Sequence, residues 1–508
     1  MRGLKPRDQI KLSAEEMREM GYRIIDMLVD YNGAQAQFPV TRALDQVTFD
    51  EILSEPLPEK GSSWEDVLEQ FERQALSTID HLDHPRFFAY IPSSSNFVSA
   101  MADTLASGYN IFNALYPLGT GAAQVERLTI GWLLELVGMP EEAGGLFVSG
   151  GAVANLTGLA VARQILLNGD MRDAVIYCSD QAHFVISRGL RILGFGHEQL
   201  REIQADKDFR LPVAELETAI AEDRAAGKRP FCIAATAGTT NTGAVDPLND
   251  LADLCQHEEL WLHVDGAYGT SACLTEHRKI ELAGIERAHT LNWDAHKWMF
   301  QPVECSTLLV QDRHWLGETF KDTAHFLSDA EEHSKREAGE EMNYMYQGIQ
   351  LTRYFRALKF WMSLKVFGLG AMRQAIERGF KLAEMAESLL RDAGKWEIVT
   401  AAQMAIVTFR YKPSGGDESL ADAVTDALPG AWPRIASPSL PHLSCSGDRS
   451  CDWLRTIREP RLPICDKPLP SWGGWRQIWR GGTRRRPQTN NSQRVAASIK
   501  AVQPILSC

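Results

Sequence analysis

In the middle of this chain short apolar, β-rich runs alternate with longer helical ones, and that alternation constrains the fold more than any other feature. The runs "AVIYCS" (174–179), "FCIAATA" (231–237) and "LWLHVDGA" (260–267) are separated by segments such as "PVAELETAIAEDRAAG". A strand buried on both faces reads as a continuous apolar run, and helical segments between such runs supply the crossovers that parallel pairing needs. The expected class is α/β with a mostly parallel central sheet. Ligands in such sheets sit beyond the carboxyl ends of the strands, so polar residues directly after the apolar runs are the candidates to collect.

With 508 residues the chain exceeds a single compact core, and roughly two to four domains are expected from that length. Near the start, Ser13 and Glu16 have capping-box spacing, and Met17, Ile24, Ile25, Leu28 and Tyr31 recur on one helical face. A link, "SEPLPEKGSS", precedes a second helical stretch, "WEDVLEQFERQAL". Residues 1–85 therefore read as a helical segment that needs a partner surface, and residues 86–370 as the large α/β domain. The helical stretch "TRYFRALKFWMSLKVFG" leads to a further helix around 371–393. After it, "WEIVTAAQMAIVTFRYKP" supplies strands for a smaller C-terminal α/β domain over 371–508.

The formal charge of −13 argues against nucleic acid as the main partner, although it is unevenly spread. From Pro429 onward the net charge is +9, which leaves −22 for residues 1–428. That last part also holds 10 of the 23 prolines, and four of the nine cysteines follow residue 440. Beyond about residue 437 the sequence is atypical, and both a partly disordered basic extension and a reading-frame change in the gene are consistent with it. The N-terminus has no apolar h-region and no apolar run is long enough to span a bilayer, so a cytoplasmic protein without a membrane partner is expected. Nine cysteines without a CxxC pair read as reduced thiols, with no metal site expected.

Five groups of residues follow strand-like runs or otherwise stand out. "LFVSGGAVANLTGLAVAR" is an apolar run, two glycines, and then a helical pattern, which suits an anion held at a helix start but equally a tight turn. His183 ends "SDQAH", Thr240 and Asp246 lie in "TAGTTNTGAVD", and Asp265 closes "LWLHVD". "LNWDAHKWMF" (291–300) places Asp294, His296 and Lys297 in an apolar run, where an unpartnered lysine is costly. Taken singly, each has a bland reading: a structural histidine, a helix cap, a lysine whose stem lies along apolar surface. Together they offer an amine, a carboxylate, a flat imidazole and a phosphate cradle, which are the four contacts pyridoxal phosphate (PLP) needs.

The motifs "HPRFFAY", "SDQAHFVISR", "ATAGTT", "LWLHVDGAYG", "DAHKW" and "RYFRALKFW" occur in the order and approximate spacing of a known family. From about residue 13 to about 411 the chain resembles the group II PLP-dependent amino acid decarboxylases, which act on aromatic amino acids, histidine, tyrosine or glutamate. The resemblance implies the fold type I architecture of PLP-dependent transferases, and homodimers with active sites shared between subunits. It also implies that Lys297 forms the Schiff base with the cofactor, Asp265 pairs with the ring nitrogen, and His183 stacks on the ring. Gly151, Ala152 and His296 would hold the phosphate, Thr240 and Ala267 would line the ring, and Asp246 would support the site from behind. The implied reaction is decarboxylation of an L-amino acid, an aromatic one favoured, to the amine and CO2 by way of a ring-stabilised carbanion. Tyr90, Ile91, Pro92, Phe112 and Arg353 are the expected substrate-pocket residues, with Tyr109 nearby.

Departures from the family pattern leave alternatives open. Aligning the family's mobile loop on "FKDTAHFL" puts Phe326 where aromatic decarboxylases carry a tyrosine that protonates the carbanion. Phenylalanine has no proton to give, and in related plant enzymes it accompanies capture by molecular oxygen, which yields an aldehyde, ammonia, CO2 and hydrogen peroxide. His325 is the alternative proton donor. Leu82, Ile91 and Ala114 fall where aromatic pocket residues are usual, and Asp294 replaces the usual Asn before the His-Lys pair. An inactive homologue serving as a binding partner, or another PLP activity such as an aminotransferase or Cβ-lyase, remains compatible with the fold.

Overall fold

The computed structural model describes residues 11–40, 50, 52, 54–88, 90–91, 94–322, 343–413, 416, 419, 421–425 and, as strand backbone, 497–500. The expected loop residues Phe326 and His325, the expected pocket residue Pro92, and the atypical stretch 437–496 lie outside the described residues.

The first helix, α1 (Ala14–Ala34), starts at the capping box expected for it. Ser13 Oγ accepts from the Glu16 N–H (3.2 Å), and Glu16 Oε2 accepts from the Ser13 N–H (2.7 Å). Such a cap stabilises a helix start by about 1 kcal/mol. α2 (Trp64–Gln74) is capped by Ser63, whose Oγ accepts from the Asp66 N–H (3.1 Å). Neither helix buries a residue within this chain, and Met17, Tyr22, Val29, Val67 and Phe71 are exposed. α1 is tied down at its end, where Asp83 accepts from Tyr31 Oη (2.6 Å) and Gln35 Nε2 (2.8 Å).

α3 (Phe97–Gly108) and α4 (Thr120–Val137) lead into a seven-stranded sheet. Its strands are β1 (Gly144–Val148), β2 (Ala174–Ser179), β3 (Leu200–Ile203), β4 (Arg229–Thr236), β5 (Trp261–Asp265), β6 (Thr290–Trp293) and β7 (Ser306–Val310), in the order β1-β7-β6-β5-β4-β2-β3. The pairs β3/β2, β2/β4, β4/β5 and β5/β6 are parallel, and β7 alone runs against its neighbours β6 and β1. The crossovers include α5 (Gly151–Leu167), α6 (Val185–Ile192), α7 (Val213–Ala225) and α8 (Leu248–Glu258). Both faces are packed: on β2, Val175 and Tyr177 join one hydrophobic cluster while Ala174, Ile176 and Cys178 join the other. That two-sided burial is why these strands read as unbroken apolar runs.

After α9 (His314–Phe320), the two helical stretches expected around 352–367 and 371–393 form one span, α10 (Ala357–Ala393). It is broken only at Gly368, whose φ of 75° and ψ of 161° leave the helical region. β8 (Trp396–Gln403) and β9 (Ile406–Tyr411) form an antiparallel hairpin, and β10 (Ala497–Lys500) pairs with β9 to complete a three-stranded sheet. The carboxyl ends of β1, β2, β4, β5 and β6 lie along one edge of the large sheet, and the candidate residues collect there.

Candidate active site

Lys297 stands in the turn that follows β6. The Asp294 N–H donates to the Ala267 carbonyl (2.8 Å), the Lys297 N–H to the Asp294 carbonyl (3.0 Å) and the His296 N–H to the Cys305 carbonyl (2.8 Å). Trp293, Trp298 and Met299 are buried and anchor the turn, whereas the Lys297 side chain keeps about a quarter of its surface exposed. Its Nζ lies 3.1 Å from Asp294 Oδ2, so the lysine is partnered.

This turn forms one wall of a cleft of about 180 Å³. Gly151, Ala152, His183, Thr240, Asp265, Ala267, His296 and Lys297 all line it, so residues spread over 147 positions of sequence are brought together. Behind the cleft, Asp246 is buried and accepts from the N–H groups of Thr236 (2.7 Å) and Leu211 (2.8 Å), tying the end of β4 to the start of α7. Burial pushes its carboxyl up to about 6, against the pull of those two N–H donors.

The chemistry of the wall suits an anion at one end. Gly150 precedes α5 in an extended conformation and no side chain caps that helix, so the Gly151 and Ala152 N–H groups have no intrahelical acceptor. Gly151 is required by close approach, since a Cβ there would lie 2.5 Å from Asp294 Oδ2. At the other end, Asp265 accepts on both carboxylate oxygens: Oδ2 from Asn155 Nδ2 (3.1 Å), and Oδ1 from Asn292 Nδ2 (3.1 Å) and the Ala267 N–H (3.2 Å). Donors on both oxygens fix the direction of this carboxylate, which suits it to accept from a ring N–H. His183 Nδ1 accepts from the Val185 N–H (3.3 Å), which leaves the ring proton on Nε2. Burial, with the Lys297 charge adding to it and Asp265 and Asp294 opposing, lowers its pKa and keeps the ring neutral near pH 7. Asp294 Oδ1, Asn292 Oδ1 and Tyr268 Oη are buried around the cleft without hydrogen-bond partners among the described residues. Orphaned polar atoms around a cavity are what a polar ligand would satisfy. The residues present therefore fit PLP.

Comparison with known proteins agrees. The sequence profile of the pyridoxal-dependent decarboxylase conserved domain matches residues 48–412, well over half of the chain. The chain belongs to the pyridoxal-dependent decarboxylase family. It is 47% identical over 407 residues to an aromatic-L-amino-acid decarboxylase of Bacillus atrophaeus, covering 80% of this chain and 84% of that protein. It is 32% identical over 425 residues to tyrosine decarboxylase 2 of Narcissus pseudonarcissus, covering 81% and 83%. Among solved structures it resembles 4-hydroxyphenylacetaldehyde synthase of Rhodiola rosea, with a TM-score of 0.75 and 27% identity over 83% of this chain and 90% of that one. The protein is thus a PLP-dependent amino acid decarboxylase of the fold type I class.

Several expected pocket residues stand elsewhere in this decarboxylase. Arg353 is buried beneath the sheet edge, where Nη2 lies 2.7 Å from Glu126 Oε1 and donates to the Phe147 carbonyl (2.7 Å). Its Nη1 donates to Glu126 Oε2 (3.3 Å) and the Asn113 carbonyl (3.1 Å). A guanidinium with its donors engaged in this way supports the fold and is no wall of the cleft. Tyr90 and Tyr109 are largely exposed, Phe112 packs against the small cluster of Ala114, Leu115, Met345 and Tyr346, and Ile91 packs on the main core, so none of them lines the cleft of one chain.

Two cleft residues escape a reading by motif. Asn155 lies four residues after Gly151, on the same face of α5, and Asn292 pairs in register with Asp265 across β5 and β6. The i+4 spacing was the available signal for Asn155. Only strand register could reveal Asn292.

Proposed function

We propose that this decarboxylase converts an aromatic L-amino acid to its amine and CO2, working as a homodimer whose partner completes the substrate pocket. The observation that carries the reading is the convergence of Lys297, Asp265, His183 and the Gly151 helix start on one cleft. The identity of nearly half to an aromatic-L-amino-acid decarboxylase supports the substrate class. The unburied α1 and α2 and the exposed Tyr90 and Tyr109 support a second subunit. Among the described residues no helix is long and apolar enough to cross a membrane.

In this reading Lys297 is the amine that holds the cofactor covalently, with Gly151, Ala152 and His296 around its phosphate and Thr240 and Ala267 beside its ring. When bound, PLP supplies an electron-withdrawing ring that accepts the electron pair left as the Cα–carboxylate bond breaks. Asp265, fixed by three N–H donors, would hold a proton on the cofactor's ring nitrogen. His183, neutral and held at Nδ1, would cover one face of the cofactor ring. Asp294, 3.1 Å from Lys297 Nζ, would hold the lysine amine whenever it is not engaged with the cofactor.

A second reading is favoured by Phe326, at the place of the proton-donating loop tyrosine, and by the likeness to a plant aldehyde synthase. In that reading molecular oxygen would take the electrons left at Cα, and one substrate, one O2 and one water would yield aldehyde, ammonia, CO2 and hydrogen peroxide.

One experiment separates these readings. Purified enzyme with PLP is given a panel of L-amino acids while amine, aldehyde, oxygen and peroxide are followed together. Amine from aromatic substrates without oxygen uptake is the expected result. Stoichiometric aldehyde and peroxide would move the assignment to the second reading, and Phe326→Tyr should then restore amine. Turnover confined to glutamate or histidine would reject the aromatic assignment. Lys297→Ala should abolish both the visible band of bound cofactor and turnover.

A further inference from the structure

His263 is fully buried two residues before Asp265 on β5, outside the cleft, and nothing in the reaction described so far uses it. Residues i and i+2 of a strand point to the same face, so both side chains face α5. Asn155 of α5 bridges them: its Oδ1 lies 2.7 Å from His263 Nε2, and its Nδ2 lies 3.1 Å from Asp265 Oδ2. On the other side of the imidazole, Nδ1 lies 2.9 Å from Thr290 Oγ1, which also accepts from Trp261 Nε1 (3.0 Å).

The proton on every link follows from the two ends. An indole can only donate and a carboxylate can only accept. Asn155 must therefore turn its NH2 to Asp265 and its carbonyl to His263. His263 must then carry its proton on Nε2 and accept at Nδ1 from the Thr290 hydroxyl. Burial lowers the imidazole to about 3, so the neutral form this order requires is the one present. The helix is shaped for the ring as well. A Cβ on Gly158 would lie 2.9 Å from both Cε1 and Nδ1 of His263, so α5 carries glycine where the imidazole passes under it.

We propose that His263 is a positioning residue for the reaction: with Thr290 behind it and Asn155 in front, it fixes the direction in which the Asp265 carboxylate presents itself to the cofactor's ring nitrogen. Without the Nε2 proton, Asn155 keeps its NH2 toward Asp265 but loses the bond that anchors its carbonyl, so the amide, and with it the direction of the carboxylate it holds, is free to shift. The inference rests on the reading of Asp265 as the ring-nitrogen partner.

The test compares two cofactors on the full-length apoenzyme, PLP and 1-deazapyridoxal 5′-phosphate, in which a C–H replaces the ring nitrogen. Dissociation constants are taken from quenching of protein fluorescence for wild type, Thr290→Val, His263→Phe and Asp265→Asn. Thr290→Val is nearly isosteric and keeps the sheet packed, so it guards against a failure of His263→Phe to fold. Thr290→Val and His263→Phe should weaken PLP by about tenfold, the size expected for a lost hydrogen bond that orients a charged group, and leave the deaza analogue within about twofold. Asp265→Asn should show the same selectivity. Equal weakening of both cofactors by Thr290→Val, with Asp265→Asn still selective, would make the chain of hydrogen bonds purely structural and overturn the proposal. Loss of selectivity in Asp265→Asn would overturn the reading of Asp265 and the proposal with it.

Discussion

Asp294 Oδ2 lies 3.1 Å from Lys297 Nζ, and the same carboxylate packs on Gly151 at the start of α5. One acidic side chain thus stands between the amine and the anion cradle, and its Oδ1 has no hydrogen-bond partner among the described residues. Removing the charge should help the cofactor twice, by freeing Lys297 and by taking an anion away from the phosphate end. Asp294→Asn is expected to bind PLP several-fold more tightly than wild type by fluorescence titration. Weaker or unchanged binding would contradict this account of the carboxylate.

Gly151→Ala tests the same contact from the other side. The new Cβ would meet Asp294 Oδ2 at 2.5 Å and Oδ1 at 3.0 Å, whereas alanine is the better helix former. Thermal stability should therefore hold while PLP affinity falls by about tenfold, on the scale of a displaced polar contact. Adding Asp294→Ser should recover part of the loss, and strict additivity in that double-mutant cycle would reject the steric coupling.

The Arg353–Glu126 pair is buried on both sides, with Asn113 Nδ2 and the Phe147 N–H also donating to the carboxylate. Glu126→Gln leaves a buried guanidinium without its counter-charge, which costs about 3–5 kcal/mol. A urea titration followed by circular dichroism should show the lower midpoint. A change below about 1 kcal/mol would mean that the pair is not what holds β1 and α4 to the segment around Arg353.

Burial lowers His84 to about 4, His263 to about 3 and His289 to about 4. Between those values and the ordinary 6.5, the unfolded chain binds protons that the folded chain refuses. Stability is therefore full above about pH 6.5 and is lost as pH falls toward 4. Asp246, raised to about 6, works in the opposite sense, one group against three. Thermal midpoints measured from pH 7.5 to 4.5 at constant ionic strength should fall, and a flat profile would contradict the buried neutral state of these rings.

The α/β class, the parallel sheet and the residues that gather at its carboxyl edge were legible in the sequence because each rests on local information. Two-sided burial writes a strand as an apolar run, a capping box writes the start of α1, and a polar residue directly after a strand lands at the ligand edge. Lys297, Asp265, His183 and Gly151 are all of that kind. Arg353 was misplaced for the opposite reason: its partner Glu126 lies 227 residues away, and no local pattern distinguishes a guanidinium in a buried ion pair from one facing a substrate.

What the sequence determined by itself is the set of elements and the residues that end them. What tertiary structure decided is the company those residues keep. Asn292 reaches Asp265 only through the β5/β6 register, and Asn155 bridges His263 and Asp265 only because Gly158 lets α5 come close to the sheet. Hydrogen bonds a few ångströms long between segments more than a hundred residues apart depend on packing distance, and packing distance is set by the whole fold at once.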